Sequence, residues 1–303
     1  MKLIIPVIGG VAAATFGIHK IMLYQTFNMM VGRNNSGLGR IARRKDSKKP
    51  VSEDEIWIRN VESKEVRIKS FDGATLIGHY LEAPNAKRTL LMLHGWRGNW
   101  ARDFGPSARE FIGMECNILI IEERAHGGSG GDYIGFGVLE SKDCHCWIDF
   151  LMSRNDLPIY LVGVSMGATA VIMAAGHDLP KQVKGIVADS GFTNPYDIVM
   201  KVAHGSIPVV GAVVKTLDKL CKRKAGYGLS DNSTIEALKH VDVPVFFAHG
   251  KKDSFVPLKM GFANYDACTA KKTFFTVDDA EHAECFRKKP QEYKKAVVEF
   301  FGW

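Results

Sequence analysis

What is missing narrows the field first. The six cysteines (Cys116, Cys144, Cys146, Cys221, Cys268 and Cys285) do not form two clusters, and the lone C-x-C at Cys144 and Cys146 is not a zinc pattern. Their spacing demands no disulfide either, so they read as free, buried thiols. No internal repeat is present. The net charge is +7, but much of the excess is local: Arg40, Arg43, Arg44, Lys45, Lys48 and Lys49 fall within ten residues. With no base-reading motif and no interleaving of aromatic and basic residues, a nucleic-acid partner is not expected. What remains is an ordinary globular balance, 46% hydrophobic and 24% charged over 303 residues. That suits one large α/β domain with additions.

The N-terminus stands apart. Leu3 to Ile18 carries no charge, and Ile21-Met22-Leu23-Tyr24 resumes the apolar character after His19 and Lys20. Sixteen residues are short for a spanning helix, which needs about 20. Continued through Tyr24 with Lys20 snorkelling, the segment is long enough. A cleaved signal peptide and a packing helix are the other readings. The expectation is an anchor over residues 1–24, hence a membrane-associated chain, with the side of the membrane left open. Residues 25–55 read as a basic linker punctuated by Asn34-Asn35-Ser36-Gly37 and Lys48-Lys49-Pro50.

From about residue 56 to Trp303 the texture is that of one domain. An antiparallel hairpin is expected over Val66 to Leu81, turning at Phe71-Asp72-Gly73. Continuous apolar strands follow at Thr89 to Leu93, Asn117 to Ile121, Ile159 to Val162, Gly185 to Ala188, Val243 to Ala248 and Lys272 to Val277. Such strands are buried on both faces. Helical stretches separate them at about 101–112, 138–153, 166–176, 257–268 and 290–301. This alternation predicts a mostly parallel sheet flanked by helices, with ligands at the carboxyl ends of the strands. Residues 195–232 break the alternation and read as a helical cap over those ends.

Gly163-Val164-Ser165-Met166-Gly167 lies where an apolar strand turns into a small-residue helix. A serine on so sharp a turn is pushed out of the sheet with its hydroxyl exposed, and flanking glycines leave room for the backbone. Ser165 then needs an imidazole to take its proton, and the imidazole an acid to orient it. Asp253, a short turn after the Val243 strand, is the acid candidate, and His282, after the last strand, is the base. Asp278 and Asp279 are weaker acids because they share the histidine's loop. His94, His126 and His249 lie beside glycine and read as turn-shaping, while His177, His204 and His240 lack context. An oxyanion would need two backbone N–H donors, assigned by position to Met166, after the nucleophile, and Trp96, after the Leu91–Leu93 strand.

Together with His94-Gly95-Trp96 and Arg124-Ala125-His126-Gly127-Gly128-Ser129, these segments resemble the α/β-hydrolase superfamily. They look most like membrane-anchored bacterial members labelled as prolyl-aminopeptidase-like serine peptidases. The Arg124 segment is similar to the superfamily's R-G-H-G-x-S stretch, with Ala125 in place of the first glycine and Glu122 in place of a usual aspartate. The resemblance implies a Ser165–His282–Asp253 triad that needs no metal or organic cofactor. The expected reaction is hydrolysis of esters or thioesters, with small-molecule or lipid-like acyl substrates. A peptidase is the alternative and would need an acidic anchor for a substrate ammonium, for which Glu140 and Asp143 are available. A non-catalytic, membrane-tethered binding module is the second alternative.

Overall fold

The computed structural model describes residues 21, 23–33, 51–203 and 208–303. Among the described residues eight strands form one sheet: β1 Lys64–Lys69, β2 Thr75–Leu81, β3 Arg88–Leu93, β4 Cys116–Glu122, β5 Ile159–Val164, β6 Val183–Asp189, β7 Val245–Gly250 and β8 Lys272–Val277. Their spatial order is β1-β2-β4-β3-β5-β6-β7-β8. The pairs β1–β2 and β2–β4 are antiparallel. Every later pairing, from β3–β4 to β7–β8, is parallel. This is the expected mostly parallel sheet, with the hairpin at one edge.

The continuous apolar strands serve two cores at once. In β3 and β4, Leu91, Leu93, Leu119 and Ile121 face one cluster, which contains Trp147 and most of the helix Met166–Ala175. Leu90, Met92, Ile118 and Ile120 face the other, which contains Phe104 and Val297. Alternation of side chains across the pleat divides one hydrophobic run between two layers. The flanking helices run Trp100–Ile112, Val138–Met152, Met166–Ala175, Leu258–Ala267 and Pro290–Phe301, close to their sequence-based bounds. Asn99 starts the first of these, its side chain accepting from the amides of Ala101 and Arg102.

A third cluster lies at the carboxyl end of the sheet. Residues 195–232 hold the helices Pro195–Val202 and Pro208–Lys224, which bury Ile198, Val214, Leu217, Leu220 and Cys221 there beside Met166, Phe192 and Val256. Two helices differ from the linker expected over 25–55. Residues 23–31 are helical, with Phe27 and Val31 wholly buried in that third cluster. Glu53–Asn60 is a second helix, capped by the Ser52 hydroxyl and carrying Glu53, Asp54 and Glu55 in its first turn. The expected anchor falls on residues 1–24, of which 1–20 and 22 lie outside the described residues. Among the described residues no helix is long and apolar enough to cross a membrane.

Candidate active site

Ser165 sits between β5 and the helix Met166–Ala175 with φ 56° and ψ −115°, a strained conformation for a residue with a side chain. Both flanking glycines are required by packing. A Cβ on Gly163 would collide with the backbone of Gly167 and Ala168, and one on Gly167 with the Leu93 carbonyl. The Ser165 amide donates to Asp189 O at 2.8 Å, which pins the turn to the neighbouring strand β6.

The two distant candidates meet this serine. His282 Nε2 lies 2.9 Å from Ser165 Oγ, and His282 Nδ1 lies 2.8 Å from Asp253 Oδ2. With its proton on Nδ1, facing the carboxylate, the imidazole presents Nε2 as acceptor to the hydroxyl. The other oxygen, Asp253 Oδ1, accepts from the amides of Phe255 at 2.9 Å and Val256 at 2.8 Å. Asp253 is thereby fixed in the turn after β7, its side chain sealed from solvent. Burial alone would raise its pKa. Hydrogen bonds from His249 and His282 outweigh that and hold it down to about 2. Ser165 itself is 5% exposed, and the ring of Phe255 lies 5.0 Å from that of His282.

The alternative acids are elsewhere. Asp278 pairs with Lys251 at 2.7 Å and Asp279 with Lys288 at 3.0 Å. Of the histidines without context, His240 lies 3.8 Å from Glu236 and His177 lies beside His145. His204 lies outside the described residues.

His249, expected only to shape a turn, does more. Its Nε2 donates to Val256 O at 2.9 Å and lies 3.3 Å from Asp253 Oδ2. Burial disfavours its charged form, but the Asp253 hydrogen bond outweighs this and raises its pKa. Its place four residues before the acid, at the end of β7, was the available signal.

The turn after β3 abuts the serine: a Cβ on Gly95 would stand 3.3 Å from Ser165 Cβ. In that turn the Gly95 amide donates to Asp103 Oδ2, Arg97 to His126 Nε2, and Gly98 to Gly95 O. Trp96 lies between them. Met166 is the first residue of its helix, whose amide dipoles point toward the serine.

The segment around Arg124 is a scaffold. The guanidinium donates to both oxygens of Asp143, at 2.6 and 2.9 Å, to Asp72 at 2.9 Å and to Ser70 at 2.9 Å. Glu140 accepts from the Gly135 and Gly137 amides at 2.6 and 2.8 Å. Both carboxylates considered as ammonium anchors are therefore buried and engaged within the protein. Ala125 holds φ 59°, so the residue standing where glycine is usual does adopt the left-handed conformation.

Among the described residues, one group could be considered for a metal. The ligand atoms of His94, Glu123 and His126 lie within 4.8 Å of one another. The imidazoles are spoken for. His94 Nδ1 contacts Gly95 O, and its Nε2 accepts from the Glu123 amide. His126 Nδ1 contacts Arg124 O, and its Nε2 accepts from the Arg97 amide. With each ring nitrogen already committed, these residues do not fit a metal site.

The sheet order and a strained serine turn between β5 and its helix define the α/β-hydrolase fold, and the chain is an α/β-hydrolase-fold protein. Relatives align across most of the domain. The chain is 24% identical over 254 residues to the α/β hydrolase domain-containing protein WAV2 of Arabidopsis thaliana, covering 80% of this chain and 79% of the relative. It is 25% identical over 240 residues to the uncharacterized protein YqkD of Bacillus subtilis, covering 77% of each. Among solved structures, an esterase of Pyrococcus furiosus matches with a TM-score of 0.65 at 22% identity, over 80% of this chain and 92% of the esterase. No family model matches the sequence.

Proposed function

We propose that this protein is a serine hydrolase of acyl esters or thioesters. The observation that carries the reading is the imidazole of His282, which bridges Ser165 Oγ and Asp253 Oδ2 at 2.9 and 2.8 Å. Ser165 Oγ attacks the acyl carbonyl while His282 Nε2 takes its proton. The ionised Asp253 orients the ring and stabilises the imidazolium, a task suited to a carboxylate that keeps its charge down to pH of about 2. The oxyanion accepts hydrogen bonds from the amides of Met166 and Trp96. As the tetrahedral intermediate collapses, the proton passes from His282 to the leaving oxygen or sulfur. Water, deprotonated by the same nitrogen, then attacks the acyl-enzyme. The carboxylic acid leaves, and Ser165 regains its proton.

Apolar surroundings favour acyl chains. Met166 and Val256 share a cluster with the buried faces of the cap helices and with Trp96 and Phe255 at its margin. The aminopeptidase-like alternative is less well supported, because Glu140 and Asp143 are consumed by internal partners. Attachment to a membrane through residues 1–24 belongs to this proposal and rests on the sequence alone. The test is labelling by a fluorophosphonate together with turnover of short p-nitrophenyl esters. Both are expected of the wild-type chain, and both should vanish in Ser165→Ala. Inert wild-type protein, or undiminished labelling of the variant, would contradict the proposal.

A further inference from the structure

The turn that carries Trp96 is tied to a part of the chain that the reaction scheme leaves out. Trp96 Nε1 donates to Met30 O at 3.0 Å. The Arg97 guanidinium donates to Met29 O at 2.9 Å and to Gly32 O at 2.8 Å. These carbonyls lie at the end of the helix over residues 23–31, where the last turn of a helix leaves its acceptors unsatisfied. Two adjacent side chains of the turn therefore cap that helix. Arg97 also lies over the Trp96 indole at 5.3 Å, and Trp96 stacks on Phe136 at 6.1 Å. The backbone of Arg97 is held at φ 52°, a conformation that persists only where its surroundings impose it.

The helix is anchored on its other side independently of Arg97. Phe27 and Val31 are fully buried, and Phe27 packs on Tyr133 at 5.5 Å. Ile134 N donates to Val31 O at 2.7 Å and Arg33 N to Asp132 O at 2.8 Å. The Arg33 guanidinium reaches Gly127 O at 3.0 Å. The segment thus runs as a strap from the Gly127–Ile134 loop to the Trp96 turn.

We infer that residues 23–33 form a working wall of the active site, and that Arg97 is the positioning residue through which they hold the Trp96 amide toward the oxyanion. This rests on the hydrolase proposal and on the assignment of Trp96 N–H. Releasing the strap leaves the triad in place but lets a donor drift, which weakens transition-state stabilisation more than substrate binding. Loss therefore appears in kcat.

The experiment uses the full chain carrying Arg97→Met, Phe27→Ala and both together. Val31→Ala, a smaller excision of the same contact, is run alongside. Sites are counted by end-point fluorophosphonate labelling, so unfolded protein drops out of the rate. Each variant is expected to lower kcat per labelled site by about ten- to a hundredfold, with KM within about twofold. The double variant should be no slower than the worse single, because both changes release one element. Wild-type kcat per labelled site in the single variants would overturn the inference. So would a loss confined to Arg97→Met with Phe27→Ala and Val31→Ala unaffected, since the effect would then be local to the turn. A wild-type chain that neither labels nor turns over sinks the hydrolase proposal and this inference with it.

Discussion

Asp253 and Glu123 are two carboxyl groups sealed inside the same protein, and their pKa values are pushed in opposite directions. Asp253 receives two imidazoles and two backbone amides, and stays ionised. Glu123 is 1% exposed, and among the described residues neither of its oxygens has a hydrogen-bond partner. Burial, reinforced by Glu140, Asp143 and Asp103, pushes its pKa well above the usual carboxylate value and favours its neutral form. Asp143 is a third buried carboxyl group, paired on both oxygens with Arg124. Depth alone does not decide the charge of a carboxyl group; the number of donors aimed at it does.

The contrast can be broken at each of its three members. Asp253→Asn removes the charge while keeping the shape, and should lower kcat by about 10³- to 10⁴-fold by misplacing the imidazole proton. Steady-state ester hydrolysis measures it, and a loss below tenfold would mean that His249 or another group orients His282. Asp143→Asn strips the partner from a buried guanidinium. It should cost about 3–5 kcal/mol in urea unfolding with kcat per labelled site unchanged. A near-wild-type midpoint would show that Asp72 and Ser70 suffice for Arg124.

The smallest effect belongs to Glu123. Its folded pKa lies above the unfolded value of about 4.3, so the folded chain binds the extra proton between those two values. Stability therefore falls as pH rises through that window, by up to about 1.4 kcal/mol per pH unit. Glu123→Gln should flatten that slope in urea midpoints taken from pH 5 to 8 without altering turnover. An unchanged slope would place the charge on Glu123 after all.

The meeting of Ser165, Asp253 and His282 was legible because each follows its own apolar strand: β5 before Ser165, β7 before Asp253, β8 before His282. A local pattern thus located residues that meet only in the fold. The partners of Glu140 and Asp143 were not legible. Spaced three apart on one helix, these look like an open acidic anchor, but Arg124 reaches Asp143 from a separate segment, and Glu140 turns back onto the Gly135 and Gly137 amides that open its own helix. The helix at 23–31 was hidden for a related reason. Breakers at Asn34 to Gly37 and the basic run suggest a linker, while Phe27 and Val31 find their cover on distant segments. Glu53–Asn60 did announce itself, through Ser52 and three successive acids, but Lys48-Lys49-Pro50 just before it reads as a break.

Ser165 and His282 stand 117 positions apart along the chain, and no shorter stretch unites them. A half-folded or half-synthesised polypeptide thus carries Ser165 as an ordinary alcohol, with no imidazole against it. On the proposed mechanism, reactivity would wait for the last crossover of the sheet, and the rate of ester turnover would then report the finished molecule.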